Sequence, residues 1–164
     1  MSELEGKPSA VRDNVHVDEI VDLLRSADRA FKRDAARFRF EGMRSRVSVL
    51  TASRERERIV EMMRMLGGVF AAPVDAENVV FFRLSAGDYL LPTAWEPAAD
   101  GPALQLLMLG ESPDDALTVS TENGAKAHDV RMGRTLVVHQ ACRFWIGPTV
   151  ADALFLAVAG LEMS

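Results

Sequence analysis

The sequence predicts an α+β domain: an N-terminal amphipathic helix, a β-α unit, an antiparallel β-meander of five to seven strands and an apolar C-terminal helix. Three observations lead there. Apolar residues recur at three- and four-residue spacing across residues 17–38. Short β-rich runs punctuated by Gly, Pro, Asp and Asn fill residues 68–141. A nearly uncharged apolar run follows Gly147-Pro148.

Residues 1–15 mix Gly, Lys, Pro, Ser and acids without periodicity and read as a loose tail, leaving residues 16–164 as one domain. The first helix rests on Ile20, Leu24, Ala27, Phe31, Ala35 and Phe38, which share one face at about 100° per residue. Gly42 is its expected stop. Val47 and Val49 mark a short strand. Thr51 or Ser53 then caps a second helix that ends at Gly67-Gly68, with Ile59, Met62, Met63 and Leu66 as its buried stripe.

The expected strands are GVFAAP, NVVFFRL, YLLPTAW, LQLLMLG, LTVST, AHDVR and RTLVVHQA. Asn123-Gly124 is the best hairpin turn, Met132-Gly133 a second turn, and EPAADGPA an exposed loop. The last run, apolar on every side around Leu154, Phe155 and Val158, reads as a helix needing cover from its own sheet or from a second subunit. From residue 44 onward the order of elements resembles helix-grip and profilin-like sandwiches in outline.

Hydrophobic content of 48% and charged content of 26% exclude a disordered chain. A net charge of −5 argues against a protein that coats nucleic acid or anionic membrane with its whole surface. The N-terminus lacks the basic and apolar regions of a secretory signal, and the longest apolar run, 153–161, is about half a membrane span. With a single cysteine, Cys142, these features predict a cytoplasmic protein.

Catalytic signatures are missing. His139 and Cys142 fall on opposite faces of an extended chain, so they make a poor thiolate–imidazole pair. His16, His128 and His139 are scattered without metal-ligand spacing, and no phosphate-binding loop is present. The reading therefore includes no metal, no cofactor and no catalytic residue, and leans away from an enzyme.

Charge placement is the strongest signal. Residues 25–64 carry twelve of the nineteen Lys and Arg side chains against six acids, in an otherwise acidic chain. Arg25, Arg29, Lys32, Arg33, Arg37, Arg44 and Arg46 are the candidate partner-binding residues, since the planar guanidinium fork suits carboxylates and phosphates. A plain solvated face, with Arg54–Glu57 and Arg58–Glu61 pairs, is the competing explanation. The expected function is a small non-enzymatic interaction or regulatory protein, a homo-oligomer that docks on an acidic protein surface. Its alternatives are a small-ligand-binding domain with an apolar pocket under the C-terminal helix, and a nucleic-acid-associated regulator.

Overall fold

The structure, a computed structural model, describes residues 9–13, 16–33 and 38–161. Thirteen strands are present among these residues: β1 (Ser9–Arg12), β2 (Phe31–Arg33), β3 (Arg39–Phe40), β4 (Met43–Arg44), β5 (Ser48–Leu50), β6 (Val80–Ser85) and β7 (Leu90–Trp95), followed by β8 (Leu104–Met108), β9 (Ser112–Thr121), β10 (Gly124–Val130), β11 (Thr135–Val138), β12 (Cys142–Ile146) and β13 (Ala153–Ala159). The helices are α1 (Asp18–Ser26) and α2 (Arg54–Leu66), with short 3-10 turns at Asp28–Ala30 and Ala76–Asn78.

Two antiparallel sheets face each other. The larger has the order β1-β11-β8-β13-β6-β5-β2 and the smaller β10-β9-β12-β7, while β3 and β4 form a separate hairpin. From β6 to β13 the chain passes repeatedly between the two sheets, so most sheet neighbours are distant in sequence. That is a jelly roll, with no meander. Only β9 and β10 are joined as a direct hairpin within it, by the turn at Asn123-Gly124, where Gly124 has φ 114°.

Side-chain alternation splits the large sheet between two cores. Phe82, Leu84, Leu104, Leu106, Leu154, Leu156 and Val158 point into the barrel and meet Leu90, Leu117, Phe144 and Ile146 of the small sheet. Phe81, Leu107, Phe155 and Ala157 point the other way, against Ile20 and Leu24 of α1 and Ile59 and Met63 of α2. A strand covered on both faces reads as a continuous apolar run.

This corrects the fold class. Residues 153–159 form the central strand β13, hydrogen-bonded to β6 and β8, and there is no C-terminal helix among the described residues. Their all-round apolarity comes from burial on both faces of one sheet, which also removes the reason for expecting a second subunit to cover them. The helix expected over residues 17–38 stops at Ser26, a 3-10 turn follows, and Phe31 enters β2 against Leu50. Residues 34–37, including Ala35 and Arg37, lie outside the described residues. Phe31 and Phe38 are both buried but in different cores: Phe31 packs on Phe155, and Phe38 meets the Phe82 ring edge-on inside the barrel at 5.0 Å. GVFAAP is not a strand, and the likeness to helix-grip and profilin-like sandwiches falls with the meander and closing helix.

The second helix forms as expected. Ser53 caps it by accepting the Arg56 amide at 3.1 Å, and Gly67 ends it with φ 61°. Val60 rather than Leu66 completes its buried face. No helix among the described residues is long and apolar enough to cross a membrane.

Phe82 is fully buried between the sheets. Phe82→Ala is expected to cost about 3–5 kcal/mol, seen as a lower urea midpoint. An unchanged midpoint would show that the two sheets are not packed through this ring.

Candidate functional site

At one end of the barrel the chain leaves an open groove of about 1090 Å³. It lies where β5 and β13 end, β6 begins and β7 runs out into the 96–103 loop. Trp95 and Gly160 form part of its floor, Val74, Pro73, Pro102 and Leu161 add apolar wall, and Lys32, Arg56, Asp75, Glu77 and Glu96 bring charge.

Each wall is fixed by a specific contact. The buried indole of Trp95 donates to the Gly160 carbonyl at 3.0 Å. Gly160 has φ 93°, and a Cβ there would fall 2.5 Å from the Ala103 carbonyl, so only glycine fits this approach. Gln105, buried on the outer face of β8, grips the backbone of Ala72 twice, donating to its carbonyl and accepting from its amide, each at 3.1 Å. Arg56 donates to the carbonyls of Glu77 and Val79 at 2.8 and 2.9 Å, and Arg64 pairs with Glu77 at 3.1 Å. Asp75 closes the turn by accepting from the Glu77 amide and the Asn78 side chain. The groove is therefore preformed.

The barrel interior behind it is apolar. Opposed residues of an antiparallel pair share a face, which sets Trp95 beside Cys142 and Thr93 beside Phe144 on the inner side of β7 and β12. Burial pushes the Cys142 thiol up to about 11, so it is protonated at neutral pH and poorly nucleophilic.

At the opposite end two buried carboxylates hold the loops. Asp115 accepts from the Ser112 hydroxyl at 2.7 Å and from the amides of Val150 and Ala151. Asp88, 1% exposed, accepts the Ser85 amide at 2.9 Å and pairs through Oδ2 with Arg33 at 3.0 Å. Arg46 Nε sits 3.1 Å from Oδ1 as an ion pair without hydrogen-bond alignment.

The expected partner-binding residues are thus divided. Arg33 and Arg46 converge on Asp88 and do structural work. Arg25 lies 3.9 Å from Asp22, Arg29, Lys32 and Arg44 are exposed, and Arg37 lies outside the described residues. Of the six that are described, Lys32 alone lines the groove. Sequence reasoning assigned no role to Trp95, Gln105 or Gly160. The one usable signal was the exposed 96–103 loop, which supplies Glu96, Ala98 and Pro102 to the groove.

No family model and no curated protein matches the sequence. Solved structures do. A Pseudomonas putida prolyl-4-hydroxylase superposes with TM-score 0.61 at 12% identity, covering 99% of this chain and 96% of that one. The chain shares the oxygenase jelly roll. A 2OG-Fe(II) oxygenase-family oxidoreductase from Burkholderia pseudomallei gives TM-score 0.63 at 13% identity, covering 96% of this chain and 86% of that one. HygX from Streptomyces hygroscopicus, with nickel, 2-oxoglutarate and hygromycin B bound, gives 0.57 at 12% identity over 98% of this chain and 84% of its own. This likeness to structures named as hydroxylases and oxygenases contradicts the non-enzymatic interaction protein expected from the Arg-rich block, and the pocket expected under a C-terminal helix falls with that helix.

The residues present do not fit the metal of such enzymes. Non-haem Fe(II) oxygenases hold iron with two His and one carboxylate, leaving open positions. Among the described residues no three His, Cys, Asp or Glu side chains come together to hold a metal ion. All three histidines are described: His16 is exposed before α1, His128 is half-buried on β10 opposite Leu117, and His139 is exposed beyond β11. Burial, helped by Lys126 and Arg134, lowers the His128 pKa, and His128 joins no group of three possible metal ligands among the described residues.

Two predictions follow from these carboxylate and thiol environments. Asp88→Ala is expected to cost about 2–3 kcal/mol through lost charge-assisted bonds. Arg33→Ala, at a half-exposed partner, should cost under about 1 kcal/mol. Denaturant midpoints measure both, and equal losses would contradict the assignment.

For Cys142, the thiol is protonated in both the folded and unfolded chain below its ordinary value of 9.0. As pH rises from 9.0 toward about 11 the unfolded chain releases that proton first, so stability falls across this window. Cys142→Ala should show a shallower fall in thermal scans over the same range. Identical pH profiles would show that the thiol is not buried in the folded state.

Proposed function

We propose that the mouth groove is the ligand site of this oxygenase-fold barrel and that its ligand is an extended polypeptide segment. The observation that carries this reading is the groove itself: partly open to solvent, walled by the contacts above, and at about 1090 Å³ slightly beyond the roughly 300–1000 Å³ of ordinary small-molecule pockets. Trp95, Pro73 and Pro102 offer apolar contact between charged rims, a surface suited to an extended chain such as polyproline II. One structural neighbour is named a prolyl-4-hydroxylase, in keeping with a polypeptide ligand. A compact polar ligand is the second reading, favoured by the acidic side chains Asp75, Glu77 and Glu96 and by the hygromycin B bound to HygX. The buried lone cysteine is in keeping with a reducing, cytoplasmic setting, which we propose as well.

A (Pro-Pro-Gly) repeat peptide tests the first reading and hygromycin B the second, by NMR titration of the labelled chain. Shifts are expected at the Trp95 indole and at the amides of 74–79, 94–96 and 98–101. Ala98→Arg, at an exposed position, should weaken peptide binding at least about tenfold while moving stability by less than about 0.5 kcal/mol. Shifts elsewhere, or full affinity in Ala98→Arg, would overturn the groove as the site. Hygromycin B binding without peptide binding would replace the first ligand class by the second.

A further inference from the structure

We infer that this barrel holds no mononuclear iron and takes no 2-oxoglutarate, because the space between its sheets is occupied by its own packed side chains. The donor set is one ground: a two-His, one-carboxylate triad would need two of His16, His128 and His139 beside an acid, and no such group forms among the described residues, which include every histidine of the chain.

The packing is an independent ground. On the inner face of β7 and β12, Trp95 is opposed to Cys142 and Thr93 to Phe144, with Phe144 fully buried. Thr93 is a poor ligand for Fe(II), and Cys142 is buried among apolar side chains in its protonated form, whereas thiolate is the form that binds metal. One corner of the mouth is also fixed above them. Trp95 is tied to the Gly160 carbonyl, and Gly160 already lies against the Ala103 backbone, so that corner has no room to widen.

Charge gives a third ground. 2-Oxoglutarate carries two carboxylates, and an anion moved into an apolar interior needs cationic or multiple hydrogen-bond partners. Aliphatic and aromatic side chains with Cys142 pack between the sheets, and no Lys or Arg is among the buried polar and charged residues of the described chain. A fold shared with 2OG-Fe(II) oxygenase-family structures over 96–99% of this chain thus has an interior given over to cohesion. This holds whether or not the groove binds peptide, so the two readings fail separately.

The test uses the full chain, loaded anaerobically with Fe(II) and separately with Ni(II), desalted and analysed for metal by mass spectrometry. Thermal melts with and without millimolar 2-oxoglutarate run alongside, since a ligand bound only by the folded state raises the melting temperature. The expected result is far less than one metal ion per chain, an unchanged melting temperature, and no 2-oxoglutarate consumption above a protein-free control. One retained metal ion per chain that is lost in His128→Ala or His139→Ala would overturn the inference. A melt raised by 2-oxoglutarate would overturn it equally.

Discussion

Burial of the seven-stranded sheet on both faces is the constraint from which most of this structure follows. With the small sheet on one side and α1 and α2 on the other, β6, β8 and β13 have no face left for solvent. Polar groups on them must be satisfied individually. Gln105 is the clearest case, because a buried amide that lost its partners would carry a desolvation cost of about 1–3 kcal/mol. It finds both partners on the Ala72 backbone and so pins the segment leading into the groove wall. Arg83, on the outer face of β6, finds Asp28 and stacks over the Phe31 ring. Satisfying the sheet and shaping the mouth are the same set of contacts.

The two ends of the barrel differ accordingly. One is closed by carboxylates that accept loop amides, with Asp115 holding the β12–β13 connection and Asp88 the β6–β7 corner. The other is held at its floor by the Trp95–Gly160 bond and remains open above it. Sharing the oxygenase fold fixes where a cleft can form, and the side chains decide what that cleft can do. Here the chemistry-bearing residues lie on the rim and the interior is hydrocarbon.

Local signals in the sequence were legible where one residue type has one physical meaning. Ser53 as a cap, Gly67 as a stop, Asn123-Gly124 as a hairpin and the strands from β6 to β11 are of this kind. Residues 153–159 were not, because a run apolar at every position satisfies the helical period as readily as the strand period. Gly147-Pro148 looked like a helix start and is instead the tight approach between β12 and β13, where a Cβ on Gly147 would sit 2.6 Å from the Asp88 carbonyl. The spacing of Phe31 and Phe38 was a coincidence of two buried residues serving two cores. Strand order had no local signal at all, since β6 pairs with β13 some seventy residues away. The groove was illegible for the same reason: Lys32, Arg56, Trp95 and Gly160 are brought together only by the topology.

The short strand β2 is the outer edge of the large sheet. No strand among the described residues pairs with its outer side, and an edge of that kind is a standing invitation to aggregate. Only three residues long, it presents exposed Lys32 and an Arg33 tethered to a buried carboxylate. A second strand laid alongside would have to strip water from that ammonium group and displace a guanidinium from its ion pair. Part of the basic character of this region therefore works as a guard on the sheet margin, keeping the barrel from growing into its neighbour.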